Sequence, residues 1–133
     1  MEISGHKGLI LYADDDPDDL MLLQDTLQAV APNIVVETVS NGREAIDYLT
    51  TQTPPMPCLV ILDLNMPGMN GKEVMECLKK GQEFCNIPMV VFTTSSNPTD
   101  RDACARFGVD MITKPIDLYG FEKAASKLLS YCI

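Results

Sequence analysis

Tryptophan is absent from this 133-residue chain, and its aromatic side chains are four tyrosines and four phenylalanines. The core must therefore be mainly aliphatic, and a chain of this length buries enough of it for one domain without staples. Basic side chains are also scarce, ten against nineteen acidic, for a formal net charge of −9. Such a surface repels phosphate backbones, which excludes direct nucleic-acid binding unless another domain supplies it. No apolar run is long enough to cross a bilayer, and the first residues lack a charged-then-apolar leader, so a cytoplasmic location off the membrane is expected. The five cysteines, Cys58, Cys77, Cys85, Cys104 and Cys132, show no CxxC or Cys/His spacing. They are expected to be small apolar fillers in a reducing compartment, with neither a disulfide framework nor a zinc site. The lone histidine, His6, has no partner motif and reads as a surface residue.

What is present is an alternation of strand-like and helix-like segments without repeat, linker or low-complexity tract. Residues Gly8 to Ala13 form an apolar strand, followed by Leu20, Leu23, Leu27 and Val30 at helical spacing. A second strand, Ile34 to Val39, carries Glu37 and Thr38 and suits a sheet edge. Asn41 and Glu44 have the spacing of a capping box, with Ala45, Ile46 and Leu49 behind them. A loop from Thr50 to Pro57 leads to the run Cys58-Leu-Val-Ile-Leu-Asp63. Val74, Met75 and Leu78 mark a third helix, Met89 to Phe92 a fourth strand and Thr99 to Phe107 a short helix. Val109 to Thr113 is the fifth strand, and Leu118, Phe121, Ala125, Leu128 and Leu129 give the last helix. Five such units predict an α/β fold with a parallel sheet covered on both faces.

The most informative stretch is Leu62-Asp63-Leu-Asn-Met-Pro67-Gly. An uninterrupted apolar run ending in Pro and Gly reads as a central parallel strand buried on both faces. Asp63 then lies at its carboxyl end, where open α/β sheets place their ligand sites. The acidic run Asp14 to Asp19, broken by Pro17, sorts by position. Pro17 suits the first helical turn, which puts Asp16 at the N-cap and leaves Asp18 and Asp19 favoured by the helix dipole. Those three have a sufficient structural role. Asp14 and Asp15 sit where the first strand ends, beside Asp63 in a doubly wound sheet. Three carboxylates this close repel unless a cation intervenes, and an all-oxygen pocket suits a hard divalent ion, Mg²⁺ foremost. Thr93 at the end of strand four adds a hydroxyl, and Lys114 after strand five adds an ammonium. Nucleophilic carboxylate, metal, hydroxyl and lysine together suit a phosphoryl group.

In these residues, and over essentially its whole length, the chain resembles the receiver domain of two-component response regulators, the CheY-like family. The resemblance implies a doubly wound (βα)5 sandwich, flavodoxin/CheY-like, with strand order 2-1-3-4-5. It implies that Asp63 takes a phosphoryl group from a sensor histidine kinase with Mg²⁺ as cofactor. Asp14, Asp15 and Asp63 would bind the metal with the Asn65 backbone carbonyl, and Lys114 and Thr93 would hold the phosphoryl oxygens. It also implies a cis peptide before Pro115 and a signalling switch rather than a turnover enzyme. The acidic helix start and the Pro-rich loop before strand three are similar to stand-alone receivers beside bacterial phytochrome-type kinases.

Two positions depart from the family pattern. Met111 stands where a Tyr or Phe is common, and a thioether fills the gap without a ring or hydroxyl to report the switch; simple core packing is the alternative role. Thr94 stands where Ala or Gly is common. A flavodoxin-like FMN carrier would need a Gly- and hydroxyl-rich loop where Asp14-Asp15-Asp16 lies. A haloacid-dehalogenase-type phosphatase would need a second acid where Asn65 lies, and a cap insertion. For output, two routes stay open: a downstream target or second copy docking on helix four, strand five and helix five, or relay to a histidine phosphotransfer protein. The protein is then a monomer or a phosphorylation-dependent dimer, with Leu118, Tyr119, Phe121 and the Cys132-Ile133 end contributing either to a symmetric contact or to the core.

Overall fold

The computed structural model describes residues 8–51, 56–81, 84, 86–95 and 97–132. Strands β1 (Leu9–Ala13), β2 (Val35–Val39), β3 (Leu59–Leu62), β4 (Met89–Thr93) and β5 (Asp110–Thr113) alternate with helices α1 (Pro17–Val30), α2 (Gly42–Thr51), α3 (Gly71–Lys80), α4 (Pro98–Arg106) and α5 (Leu118–Leu129). A 3-10 turn, Ser130–Cys132, follows α5. The strands are all parallel in the order β2-β1-β3-β4-β5, the expected doubly wound α/β fold. Every residue of β3 and β4 is buried, as continuous apolar runs in a twice-covered sheet should be. The edge position expected for the polar strand β2 is observed, and β5 forms the other edge.

Alternation along the strands divides the core in two. Ile10, Tyr12, Ile61, Val90 and Phe92 pack with Leu23 and Leu27 of α1 and Phe121 and Leu128 of α5. Leu11, Val60, Leu62 and Val91 face the other way, onto Leu49 of α2, Val74, Met75 and Leu78 of α3, and Ala103 and Cys104 of α4. Of the buried aromatics among the described residues, Tyr12, Phe92 and Phe121 lie on the first face and Phe84 on the second. Phe92 meets Tyr12 and Phe121 edge-on, with ring centroids 6.2 and 5.8 Å away, an arrangement that aromatic quadrupoles favour.

Helix starts follow the local chemistry. Asp16 caps α1, its Oδ1 accepting from the Asp18 and Asp19 amides at 2.9 and 3.4 Å, with Pro17 in the first turn. At α2 only half of the expected capping box forms. Asn41 accepts from the Glu44 amide at 2.8 Å, but the Glu44 carboxylate turns to the Ser40 amide at 2.9 Å. The reciprocal box lies instead at α3, between Asn70 and Glu73 (3.0 and 3.1 Å). Helix α2 also runs through Thr50 and Thr51, expected as loop; their hydroxyls bond back to the Ile46 and Asp47 carbonyls at 2.9 and 2.7 Å, which leaves the threonines compatible with a last helical turn.

The cysteine expectation is corrected. Cys58 and Cys132 are joined in a disulfide, with Cα atoms 5.2 Å apart and a sequence separation of 74. Short-range spacing carries no sign of this pair, because only the return of α5 across the sheet brings the chain end to the start of β3. Cys104 is a buried filler as expected, whereas Cys77 is exposed. His6, Pro54, Pro55, Cys85 and Ile133 lie outside the described residues. Leu118 and Tyr119 are exposed, while Phe121 and Cys132 belong to the core. No helix among the described residues is long and apolar enough to cross a membrane.

Candidate functional site

The sheet's ladder runs one residue past the strands and so fixes the site backbone. The Asp14 amide donates to the Val39 carbonyl at 3.1 Å, the Asp63 amide to Ala13 at 2.9 Å and the Lys114 amide to Thr93 at 2.8 Å. Asp14, Asp63, Thr93 and Lys114 are therefore carried by the carboxyl ends of β1, β3, β4 and β5, and all four are buried. Beyond Asp63 the chain turns through Gly68, whose φ of +69° suits glycine. It then enters α3 at Gly71. A Cβ built at Gly71 would lie 2.3 Å from the Asp63 carbonyl oxygen, so this glycine lets the helix start pack directly on the Asp63 peptide.

The Lys114 ammonium is the hub. Its Nζ lies 2.7 Å from Asp14 Oδ2, 2.8 Å from Asp19 Oδ2 and 3.0 Å from Asp63 Oδ2. Burial pulls the lysine pKa down, but its hydrogen bonds to Asp14, Asp19 and Asp63 outweigh that and raise it above the ordinary value. The ammonium stays charged. Asp14 is pushed up by burial, against the opposing hydrogen bonds from Lys114, Tyr12 and the Asp16 amide. Tyr12, fully buried, donates its hydroxyl to Asp14 Oδ2 at 2.6 Å. Burial and the Asp14 bond raise the tyrosine well above its usual range. The Asp63 Oδ1 accepts from the Asn65 amide at 3.2 Å.

Carboxylate oxygens of Asp14, Asp15 and Asp63 lie within 4.8 Å of one another. Asp14, Asp19 and Asp63 meet the one ammonium and Asp15 lies beside two of them, so acidic groups outnumber basic ones in the pocket. An all-oxygen donor set, two of its carboxylates buried, fits a hard divalent cation. Thr93 accepts from the Ser95 amide at 3.2 Å. Ser95 in turn donates its hydroxyl to Asp100 Oδ2 at 2.7 Å, and Lys72 reaches the other Asp100 oxygen at 2.8 Å. The loop after β4 is thus tied to α3 and α4. Met111 is half-buried and packs against the α2–α3–α4 side of the core. Thr94 is exposed, and Pro115 is half-buried beside Gly120, whose Cβ would lie 2.4 Å from the proline's Cβ.

Two residues of the site escaped the sequence reading. Tyr12 is two positions before Asp14, hence on the same side of β1; a tyrosine in an otherwise aliphatic strand was the available signal. Asp19 was given only a helix-dipole role, which is corrected here. As the third residue of α1 it turns back toward the strand ends and reaches a lysine 95 residues away.

Residues 10–126 match the response regulator receiver domain family. The chain belongs to that family. Among its relatives are the response regulator Rcp1 of Synechocystis sp., 33% identical over 101 residues, covering 73% of this chain and 69% of the relative. The probable methanogenesis regulatory protein FilR2 of Methanothrix harundinacea is 27% identical over 127 residues, covering 92% of this chain and 82% of the relative. Among solved structures, the phosphorylated cyanobacterial phytochrome response regulator RcpA superposes with a TM-score of 0.86 at 29% identity, over 94% of this chain and 93% of that one. The Mn²⁺-bound form of Rcp1 gives 0.83 at 30% identity, over 92% of each chain. Receiver domains are CheY-like modules of two-component signalling. They receive phosphate from sensor histidine kinases and bind Mg²⁺ or Mn²⁺ at their acidic pocket.

Proposed function

We propose that this receiver domain accepts a phosphoryl group on Asp63 from the phosphohistidine of a sensor histidine kinase and changes a protein-interaction face in response. The observation that carries this reading is the Lys114 ammonium, held 3.0 Å from Asp63 Oδ2 with the Asp14 and Asp15 carboxylates alongside. In the transfer the phosphorus–nitrogen bond to histidine breaks as a phosphorus–oxygen bond to Asp63 forms. Asp63 acts as the carboxylate nucleophile, and Lys114 neutralises phosphoryl oxygens without giving up its proton. Asp14, Asp15 and Asp63, with the Asn65 carbonyl, would hold Mg²⁺, which when bound supplies further neutralisation of the phosphoryl charge. The Thr93 hydroxyl, which uses an acceptor lone pair for the Ser95 amide, still has its proton to give to a phosphoryl oxygen. Turning toward that oxygen would strain the Ser95 bond and move the loop tied to Asp100 and Lys72. Met111 is the packing neighbour on β5 in place of a ring. The resulting mixed anhydride is open to hydrolysis, so the protein serves as a timed switch and not as a turnover enzyme.

The test treats the protein with Mg²⁺ and acetyl phosphate and follows its mass and oligomeric state. Phosphate is expected on the unmodified chain and not on Asp63→Asn; equal labelling of both would overturn the reading. Tighter binding to a target, or dimerisation, assigns the switch. Transfer onto an added histidine phosphotransfer domain assigns a relay instead.

A further inference from the structure

We propose that Asp19 is a positioning residue for Lys114, holding the ammonium while Asp14 and Asp63 are released to a divalent cation. The inference rests on the reading of the acidic pocket as a Mg²⁺ and phosphoryl site. A lysine ammonium has three protons, and here three carboxylate oxygens take them, on Asp14, Asp19 and Asp63. Two of these acceptors belong to the set whose oxygens converge within 4.8 Å, Asp14, Asp15 and Asp63. Lys114 and a metal ion therefore compete for the same two carboxylates. Asp19 stands outside that set, so its bond to Lys114 is the one that metal binding does not oppose.

Its position suits the task. Asp19 lies in the first turn of α1, its amide and that of Asp18 capped by Asp16 Oδ1, and the Leu20 amide bonded to the Asp16 carbonyl at 3.0 Å. The carboxylate is thus mounted on a helix and not on a loose loop, and its side chain is only 25% exposed. Without it, a lysine side chain that is 6% exposed has too little water to satisfy its third proton. It would then hold Asp14 and Asp63 more tightly and stand as a stronger competitor to the cation.

The experiment measures Mg²⁺ affinity by isothermal titration calorimetry, with no phosphoryl donor, in the intact chain. Asp19→Asn is expected to bind Mg²⁺ about tenfold more weakly, the lower end for one charge-assisted hydrogen bond. Asp18→Asn removes the same charge from the same helical turn, at an exposed side chain, and is expected to stay near the unmodified value. The deciding comparison is a cycle with Lys114→Met. If Asp19 acts through the ammonium, Asp19→Asn has little further effect once Lys114 is gone. An equal loss in both backgrounds would mean that Asp19 acts only through its field, and would overturn the inference. Should Lys114→Met not fold, side-chain NMR of Lys114 replaces it: slow ammonium hydrogen exchange in Mg²⁺ is expected to persist in the unmodified protein and to vanish in Asp19→Asn, and persistence in both overturns the inference. Unchanged affinity in Asp19→Asn overturns it alone. Absence of Mg²⁺ binding by the unmodified chain overturns the metal reading as well.

Discussion

Tyr12 and Asp14 lie two residues apart on one side of β1, and the tyrosine hydroxyl donates to Asp14 Oδ2 at 2.6 Å inside the protein. The carboxylate that a metal would share is thus supported from beneath by a group that has no place in the phosphoryl chemistry. Tyr12→Phe keeps the ring contact with Phe92 and removes only the oxygen. Asp14 retains Lys114 and the Asp16 amide, so the loss is one charge-assisted bond, about 1.5–3 kcal/mol of stability. Urea unfolding at neutral pH measures it. An unchanged midpoint would show that the hydroxyl contributes nothing.

Gly71→Ala sets two small effects against each other. Alanine is favoured over glycine in a helix by up to about 1 kcal/mol, but its Cβ would lie 2.3 Å from the Asp63 carbonyl oxygen and 2.9 Å from Leu64 Cα. Both are backbone atoms and cannot swing away. The clash should win, with a net destabilisation of about 1–3 kcal/mol and slower labelling by acetyl phosphate as Asp63 is displaced. A variant as stable and as readily labelled as the parent would contradict this account of the turn.

The Cys58–Cys132 bond closes a loop spanning 74 residues. The chain-entropy relation for a loop of that size corresponds to about 4 kcal/mol. Reductant should therefore lower the urea midpoint of the native protein. The doubly substituted Cys58→Ser, Cys132→Ser protein should start lower and ignore reductant. Equal midpoints with and without reductant in the native protein would rule the bond out as a source of stability.

Asp100 links α3 to the loop after β4 and provides the pH test. Its carboxyl is held below the ordinary range, first by the hydrogen bond from Lys72 and then by that from Ser95. A carboxyl with a depressed folded-state pKa contributes stability that is fully present above its unfolded value, about 3.9, and is lost as pH falls through the folded value. Asp100→Asn should consequently lower stability at neutral pH and flatten the acid limb of the stability profile below about pH 4. Thermal melts across that range provide the comparison. Parallel profiles for the two proteins would disprove the link.

Much of this molecule is written locally. Apolar runs with a period of two or none, helical stripes, and the Asp16-Pro17 helix start depend on neighbours a few residues away, so the five βα units and the strand-end places of Asp14, Asp63, Thr93 and Lys114 could be read without coordinates. The half-formed box at Asn41 and the full one at Asn70 show where even local reading slips, since each side chain chooses among several nearby amides.

What only the tertiary structure decided are the distant partners. That Cys58 meets Cys132 and that Asp19 reaches Lys114 across 95 residues depend on how helices α1 and α5 close over one face of the sheet. One chain records which residues are apolar, charged or turn-forming. It does not record which distant pair the closed core brings to within three ångströms, because that distance is set by the packing of every element between them.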